Sequence, residues 1–166
     1  DLMSNLESKQ TSAVELMQAT LTRVEAVNGA VNAIVSLRNH DDLMAEAAQA
    51  DATPRRGILH GIPMAIKDLV DAQGLPTSMG SPLYGDQIAT SDALMVARLR
   101  AAGAIIIGKT NTPEFGLGSH TFNPVHGVTR NPYDLQRSAG GSSGGAAVAL
   151  STRMLALADG SDMMGS

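Results

Sequence analysis

The first third of the chain has the spacing of amphipathic helices. Apolar positions recur every three or four residues at Val14, Met17, Leu21 and Val24. This spacing places them on one helix face. Residues 12–15 read Ser-Ala-Val-Glu, the spacing of a capping box, and predict the start of this helix. Asn-Gly at residues 28–29 predicts its end, and a second helix is predicted at residues 41–51.

Apolar segments then predict strands. Alternation at residues 31–35 indicates a short strand, and residues 61–67 (Gly-Ile-Pro-Met-Ala-Ile-Lys) indicate a strand that enters the core. Ser91 is expected to cap a helix that Gly103 ends. The buried face of that helix is predicted to carry Met95, Val96, Leu99 and Ala102. A continuous apolar run at residues 104–107 follows, and a helix, a glycine and a buried strand in succession are typical of an α/β fold.

The last third is rich in glycine and serine. Residues 133–139 are polar and give no strand signal, whereas residues 140–145 read Gly-Gly-Ser-Ser-Gly-Gly. A helix of small residues is predicted at residues 146–152, followed by a strand at residues 154–158. No internal repeat and no linker divides the chain.

Composition narrows the classes of function. The chain has 166 residues, of which 43% are hydrophobic and 17% charged, and its net charge is −4. These values are typical of a globular chain and exclude a disordered or collagen-like one. Because the net charge is negative and aromatic residues make up only 2%, no nucleic-acid partner is expected. The absence of cysteine excludes disulfides, thiolate metal sites and a cysteine nucleophile.

Targeting signals are not evident in the sequence. No apolar run reaches the ~18 residues that cross a bilayer, and the first residues lack the pattern of a signal peptide. We therefore expect a cytoplasmic protein with no membrane partner. The sequence starts without Met and stops inside a glycine-flanked turn, so we expect part of a longer protein.

Lys67 is the first candidate for chemistry, because it ends an otherwise apolar segment and is one of three lysines. A strand-end lysine can pack its stem while its ammonium reaches water. Alternatively, burial lowers the pKa of a lysine from about 10.4, and the neutral amine can then accept a proton. Asp68 points to the opposite face of a strand and need not be its partner.

The loop at residues 138–145 has several interpretations. It is a flexible Gly/Ser loop, or its amides point at a ligand at the start of the next helix. A phosphate loop is disfavoured because no Gly-Lys-Ser/Thr follows the glycines. The loop also matches the Gly-x-Ser-x-Gly elbow of α/β-hydrolases, with Ser143 as nucleophile, but that elbow needs a preceding strand and a later histidine. The histidines all precede the loop: His40, His60, His120 and His126. Their spacing predicts no metal site.

Residues 159–166 read Asp-Gly-Ser-Asp-Met-Met-Gly-Ser and form a predicted turn after an apolar segment. By itself this turn is compatible with any surface loop. Consecutive backbone amides in such a turn can also bind an oxyanion next to a serine, as amide hydrolysis requires.

Taken in order, these segments resemble the amidase signature family. Residues 61–68 are similar to its lysine strand, and residues 101–115 to its central helix, strand and loop. Residues 131–145 resemble the signature core, and residues 160–166 its nucleophile turn. The resemblance covers nearly the whole chain and is weakest before about residue 55.

This resemblance implies an α/β fold, an α/β/α sandwich around a mixed sheet that is larger than this chain. Residues 1–166 would form the N-terminal part of a single amidase domain. Within it, residues 1–53 are expected to supply N-terminal helices and residues 57–166 the start of the catalytic core.

The resemblance also implies the roles of individual residues. Ser166 is expected to be the nucleophile, Ser142 the bridging serine on a cis Gly141–Ser142 bond, and Lys67 the base. The oxyanion is expected to be bound by the backbone N–H groups of Met163, Met164, Gly165 and Ser166. Structural support is expected from Gly141, Ser143 and Asp162. Many family members have Thr-Gly at residues 163–164, so the mouth of the pocket is expected to differ here.

The implied function is hydrolysis of a small-molecule carboxamide through an acyl-serine, with no cofactor, no metal and no direct contact with nucleic acid; a homodimer is left open. One alternative is the glutaminase subunit of a tRNA-dependent amidotransferase, and another is an inactive truncated scaffold. An α/β-hydrolase with Ser143 as nucleophile lacks its histidine. Gly116, Leu117 and Phe122 are candidates for the pocket rim, although packing roles are favoured for them.

Overall fold

The computed structural model describes residues 2–85 and 87–164. Its helices are α1 (Leu2–Glu7), α2 (Ala13–Val31), α3 (His40–Ala52), α4 (Leu94–Ala101) and α5 (Gly144–Ser151). Its strands are β1 (Ile34–Val35), β2 (Pro63–Lys67), β3 (Ile105–Thr110), β4 (Phe122–Asn123), β5 (Gly127–Val128), β6 (Arg130–Asn131) and β7 (Asp134–Ser138). Short 3₁₀ turns occupy Pro82–Tyr84 and Glu114–Gly116. None of the described helices combines the length and the apolar character needed to cross a membrane.

A mixed three-stranded sheet, in the order β1, β3, β2, forms the centre of the chain. β2 runs parallel to β3, with Lys67 opposite Thr110, and β1 runs antiparallel to β3. Parallel neighbours need a long crossover connection, and here the connection between β2 and β3 contains α4. The C-terminal end of β2 therefore lies beside the C-terminal end of β3.

Both faces of the sheet are buried, because successive residues of β3 belong to different apolar clusters. Ile105 and Ile107 pack in a cluster with residues of α2, α3 and α5. Ile106 packs in a second cluster with Val96 of α4 and residues of the loops. Burial on two faces explains the continuous apolar run of this strand. The result is the predicted α/β arrangement with helices on both sides of a mixed sheet.

The start of α2 is confirmed, but its predicted end is wrong. Ser12 Oγ accepts the Glu15 N–H at 3.0 Å, and Glu15 Oε2 accepts the Ser12 N–H at 2.8 Å, which completes the capping box. α2 then continues to Val31, and Asn32, with a φ of 52°, ends it in the left-handed conformation. The Asn28 side chain accepts N–H groups of the segment that leads into β1, so it shapes the exit from the helix without ending it.

The helix predicted from Ser91 also begins later. α4 starts at Leu94, and Ala93 precedes it without a side-chain hydrogen bond. On the face predicted to be buried, Val96 is buried but Met95 remains 39% exposed. Only one side of this eight-residue helix meets the sheet, which explains why the apolar pattern predicted more burial than is found.

The strand predicted at residues 154–158 is not formed. Met154 and Leu155 are buried, but their N–H groups donate to the Ala149 carbonyl at 2.9 and 3.2 Å, so they join no strand ladder. In contrast, β7 forms within the polar segment that gave no strand signal. It pairs with β6 as an exposed hairpin, where the backbone ladder and not apolar burial sets the structure.

Candidate active site

Lys67 ends β2 with its side chain fully buried. Its Nζ lies 2.8 Å from Ser142 Oγ and 3.0 Å from Ser143 Oγ. Both serines belong to the Gly/Ser loop, defined here as residues 138–143, which precedes α5. The interpretation in which the ammonium reaches water is therefore wrong, and the amine faces two hydroxyls inside the protein.

A third hydroxyl, that of Ser161, also contacts the lysine. Lys67 Nζ is 3.1 Å from Ser161 Oγ and 3.2 Å from the Ser161 carbonyl oxygen, both in the 159–164 turn. Ser143 Oγ accepts the Ser161 N–H and donates to the Ser161 carbonyl, each at 3.2 Å. Lys67 thus holds the Gly/Ser loop and the 159–164 turn together. The sequence analysis predicted no role for Ser161. Its position within the predicted oxyanion turn was the feature that could have indicated one.

Glycines allow the Gly/Ser loop and the start of α5 to approach the sheet closely. A Cβ on Gly145 would collide with backbone atoms of Asn111 and Ala33, and one on Gly144 with the Thr121 side chain. The Gly141–Ser142 peptide bond is cis, as the resemblance implies. The absence of side chains at the start of α5 therefore brings Ser142 next to the end of β2.

Burial shifts the protonation equilibrium of Lys67 towards its neutral form. Burial lowers the pKa of the Lys67 ammonium below its ordinary value, while the negative charges of Asp159 and Asp162 partly oppose this shift. A lower pKa increases the fraction of neutral amine near neutral pH, and the neutral amine is the form that accepts a proton. The arrangement can therefore remove a proton from a neighbouring hydroxyl.

The predicted oxyanion turn is described as far as Met164. The side chains of Asp162, Met163 and Met164 are exposed. Asp162 Oδ1 accepts the Met164 N–H at 3.0 Å, so one of the four predicted oxyanion donors faces a carboxylate in this structure. Gly165 and Ser166, predicted as further donors and as the nucleophile, lie outside the described residues.

Asp68 points away from Lys67 into a second polar cluster that the sequence did not predict. Its carboxylate lies 3.4 Å from Lys109 Nζ and 3.4 Å from His126 Nε2. It also accepts the Ser78 hydroxyl and the Ser78 N–H. Burial by itself raises the pKa of Asp68, but hydrogen bonds with His126 and Ser78 and the charge of Lys109 lower that pKa overall. The signal in the sequence was a second lysine, Lys109, at the end of a buried strand.

This second cluster has a structural role in the fold. Lys109 Nζ donates to the carbonyls of Val70 and Pro76, at 2.7 and 3.2 Å, and ties the loop after β2 to β3. Ser78, His126 and Asp68 are the residue types of a hydrolase triad. However, His126 Nε2 faces both the serine and the aspartate, whereas a triad histidine uses a different ring nitrogen for each partner. The geometry is not that of a triad, and Ser78 is itself buried.

A cavity of about 300 Å³ adjoins Ser142. It is lined by Gly116, Leu117, Gly118, Ser119, Ser142, Asp162, Met163 and Met164. Two of the three predicted rim residues, Gly116 and Leu117, line this cavity, whereas Phe122 lies in β4. The packing role favoured for Leu117 is wrong, because this side chain is 69% exposed. Exposed Leu and Met side chains thus form an apolar surface beside Ser142.

Comparison with known proteins identifies the family. The amidase family model matches residues 15–166. The whole chain aligns, at 44% identity in each case, with an acylamidase of Rhodococcus erythropolis and with a glutamyl-tRNA(Gln) amidotransferase subunit of Alkaliphilus metalliredigens. The structure of a peptide amidase from Stenotrophomonas maltophilia matches 95% of the chain with a TM-score of 0.86 at 35% identity.

The chain belongs to the amidase family. It covers 34% of the amidotransferase subunit, 35% of the acylamidase and 34% of the peptide amidase. The chain thus spans about a third of the length of these relatives and corresponds to their N-terminal part.

Proposed function

We propose that this chain supplies the base and the proton-relay serine of an amidase that cleaves a carboxamide C–N bond through an acyl-serine. The observation that carries the proposal is the 2.8 Å contact between Lys67 Nζ and Ser142 Oγ, with the lysine side chain fully buried. Membership of the amidase family and the 44% sequence identity with an acylamidase support this reaction class.

The proposed reaction begins with proton transfer along the two serines. Neutral Lys67 accepts the Ser142 hydroxyl proton while Ser142 accepts the proton of Ser166. Ser166 Oγ then bonds to the amide carbonyl carbon, whose oxygen takes up the negative charge. Backbone N–H groups of residues 163, 165 and 166 bind this oxyanion, and the Met164 N–H joins them once Asp162 releases it.

The second half of the reaction reverses the proton transfer. The C–N bond breaks, and the departing nitrogen takes the proton that Lys67 returns through Ser142. Water, activated by the same relay, then attacks the acyl carbon, and the ester bond to Ser166 breaks to release the carboxylic acid. The scheme balances with water as the only co-reactant, and Lys67 ends in its starting protonation state.

We also propose that the substrate carries an apolar group next to the amide. Leu117, Met163 and Met164 present exposed apolar side chains to the cavity beside Ser142. A glutaminase is the second candidate, because the amidotransferase subunit is as similar to the chain as the acylamidase is. Free glutamine carries a carboxylate, which proteins usually bind with Arg, and the described residues that line this cavity include neither Arg nor Lys.

The test uses the full-length protein with an apolar acyl anilide and with glutamine as substrates. We expect Ser142→Ala to lower kcat/KM for the anilide about 100- to 10,000-fold, because it breaks the relay. Ser143→Ala is the matched comparison, because Ser143 Oγ lies at nearly the same distance from Lys67 Nζ, and its loss should be much smaller. A wild-type rate in Ser142→Ala would exclude the proposed relay. A higher kcat/KM for glutamine than for the anilide would favour the glutaminase.

Labelling with a fluorophosphonate and peptide mapping identifies the nucleophile. We expect the label on Ser166 and its loss in Ser166→Ala. A label on Ser143 would instead favour an elbow-type hydrolase. A purified protein with an intact mass near 17.1 kDa that takes up no label would be the inactive truncated scaffold.

A further inference from the structure

Asp159 connects the strand that carries Lys67 to the 159–164 turn. Its Oδ1 accepts the Lys67 backbone N–H at 2.9 Å, although the two residues are 92 positions apart in sequence. Asp159 is half-buried and is the first residue of the turn that leads towards residue 166. The residue predicted as base and the turn predicted to bind the oxyanion are therefore joined by this carboxylate.

The backbone geometry of β2 explains why Lys67 needs such an acceptor. The N–H of Asp68 donates to Thr110 of β3 at 3.0 Å, so the preceding N–H, that of Lys67, points away from β3. β2 is the edge strand of the described sheet, and this edge offers the Lys67 N–H no neighbouring strand. The Asp159 carboxylate takes the place of a strand carbonyl there and holds the end of β2.

The same carboxylate interacts electrostatically with two buried lysine side chains, Lys67 and Lys109. The charges that act on Lys67 from the 159–164 turn are those of Asp159 and Asp162. The positive charges of Lys67 and Lys109 in turn act on the Asp159 carboxyl in the direction that lowers its pKa. Asp68, which directly follows Lys67, is turned towards Lys109 and His126.

These opposing effects couple Asp159 to Lys67. Burial raises the pKa of the Asp159 carboxyl, while the Lys67 N–H and the positive charges of Lys67 and Lys109 oppose that shift. Burial lowers the pKa of Lys67, and Asp159 is the larger of the two charges that oppose it. An ammonium that forms on Lys67 during proton transfer is therefore stabilised by the carboxylate that holds its own backbone.

We propose that Asp159 is a positioning residue of the proposed amidase: its carboxylate fixes Lys67 against the 159–164 turn, and its negative charge stabilises the ammonium that Lys67 becomes when it accepts a proton. This inference rests on the proposed function. It assigns to Asp159 two contributions, a hydrogen-bond acceptor and a charge, that different substitutions separate.

Asp159→Asn retains an acceptor oxygen for the Lys67 N–H and removes the charge, whereas Asp159→Ala removes both. Without the charge, Lys67 loses its proton more readily but is a weaker base. The acid limb of the profile of kcat/KM against pH should therefore move to lower pH, by about one unit, and the plateau should fall about tenfold. Asp159→Ala should lower the plateau further, because the end of β2 is also released.

The experiment measures these pH profiles for the full-length protein, with thermal unfolding as a check that each variant folds. Asp134→Asn is the matched control, because it removes one exposed negative charge that is not among the charges acting on Lys67, and it should leave the profile unchanged. If Asp159→Asn lowers the plateau but does not move the acid limb from its wild-type pH, the proposed charge contribution of Asp159 is contradicted. If Asp159→Asn and Asp159→Ala give equal plateaus, the acceptor contribution is wrong.

A second measurement separates this inference from the proposed function. The pH titration of the Lys67 side chain, followed by NMR on lysine-labelled protein and assigned by its loss in Lys67→Arg, requires no turnover. We expect Asp159→Asn to move this titration to lower pH. An unchanged titration would overturn the coupling even in an active amidase, whereas a shifted titration in a protein that cleaves no amide would contradict the proposed function alone.

Discussion

Lys67 and Asp68 are adjacent in the chain, yet their side chains enter separate buried clusters. The described contacts of Lys67 Nζ are three serine hydroxyls and one carbonyl oxygen. Asp68 instead lies 3.4 Å from the ammonium of Lys109. The alternation of side chains along a strand accounts for this separation. As a result, Lys109 has a carboxylate partner within ion-pair distance, while the described contacts of Lys67 Nζ are to serine hydroxyls and a carbonyl oxygen.

The first prediction concerns the pH dependence of activity. Because burial lowers the pKa of Lys67, kcat/KM should rise as the lysine loses its proton, with a midpoint below about 10.4. Lys67→Arg keeps the positive charge, but a guanidinium does not lose its proton in this range, so activity should fall at least about 100-fold at every pH. Lys9→Arg, an exposed position, is the control. A normal profile in Lys67→Arg would exclude the lysine as base.

The second prediction concerns the Asp68–Lys109 pair and protein stability. Removal of one partner leaves a buried charge uncompensated, so Asp68→Asn or Lys109→Met should each cost about 3 to 5 kcal/mol of unfolding free energy. The double variant should cost clearly less than the sum, as urea denaturation of the full-length protein would measure. The exposed Asp134–Arg137 pair should show a much smaller coupling, because solvent screens it. Additive losses at Asp68 and Lys109 would contradict a direct pairing.

The same pair has a defined pH dependence. The pKa of Asp68 is lower in the folded protein than in the unfolded chain, so the unfolded chain binds more protons in acid. The stabilisation is therefore complete above about pH 4 and is lost as the pH falls through the folded value. Asp68→Asn should remove this part of the acid sensitivity.

The third prediction concerns the close approach of α5 to the sheet. A methyl group on Gly145 would meet the backbone of Asn111 and Ala33, which cannot move as a flexible side chain can, so Gly145→Ala should destabilise the protein by about 1 to 3 kcal/mol. Gly29→Ala is the matched control within α2, where nothing lies within 4 Å, and it should stabilise by about 0.5 to 1 kcal/mol. Equal effects of the two substitutions, measured by thermal unfolding, would exclude the close approach.

Local sequence signals succeeded where short-range interactions decide the structure. The capping box at residues 12–15 placed the start of α2, and the apolar run at residues 104–107 predicted the strand β3. The capping box depends on neighbours within a few positions, and an uninterrupted apolar run is typical of a strand that is buried on both faces. The motifs around Lys67 and Ser142 also led to the amidase family, because several of them occur in the expected order.

The predictions that were wrong concern segments whose structure depends on contacts with residues outside the local pattern. The segment at residues 154–158 is apolar and buried in part, yet its backbone bonds to the end of α5 instead of a strand. The segment that contains β7 is polar, yet it pairs with β6. Apolar patterning reports burial, but the partner of each backbone N–H depends on which segments meet in space.

The α/β class follows from the periodicity of apolar positions along the chain. The family, and with it the residues proposed as base and relay, follow from the resemblance of several ordered motifs to the amidase signature family. Which side chains share an environment depends instead on the three-dimensional fold. The fold brings Ser161 and Asp159 into contact with Lys67, across more than 90 residues of sequence, and pairs Asp68 with Lys109. These partners are set by the alternation of strands and the packing of loops in three dimensions, which no local pattern records.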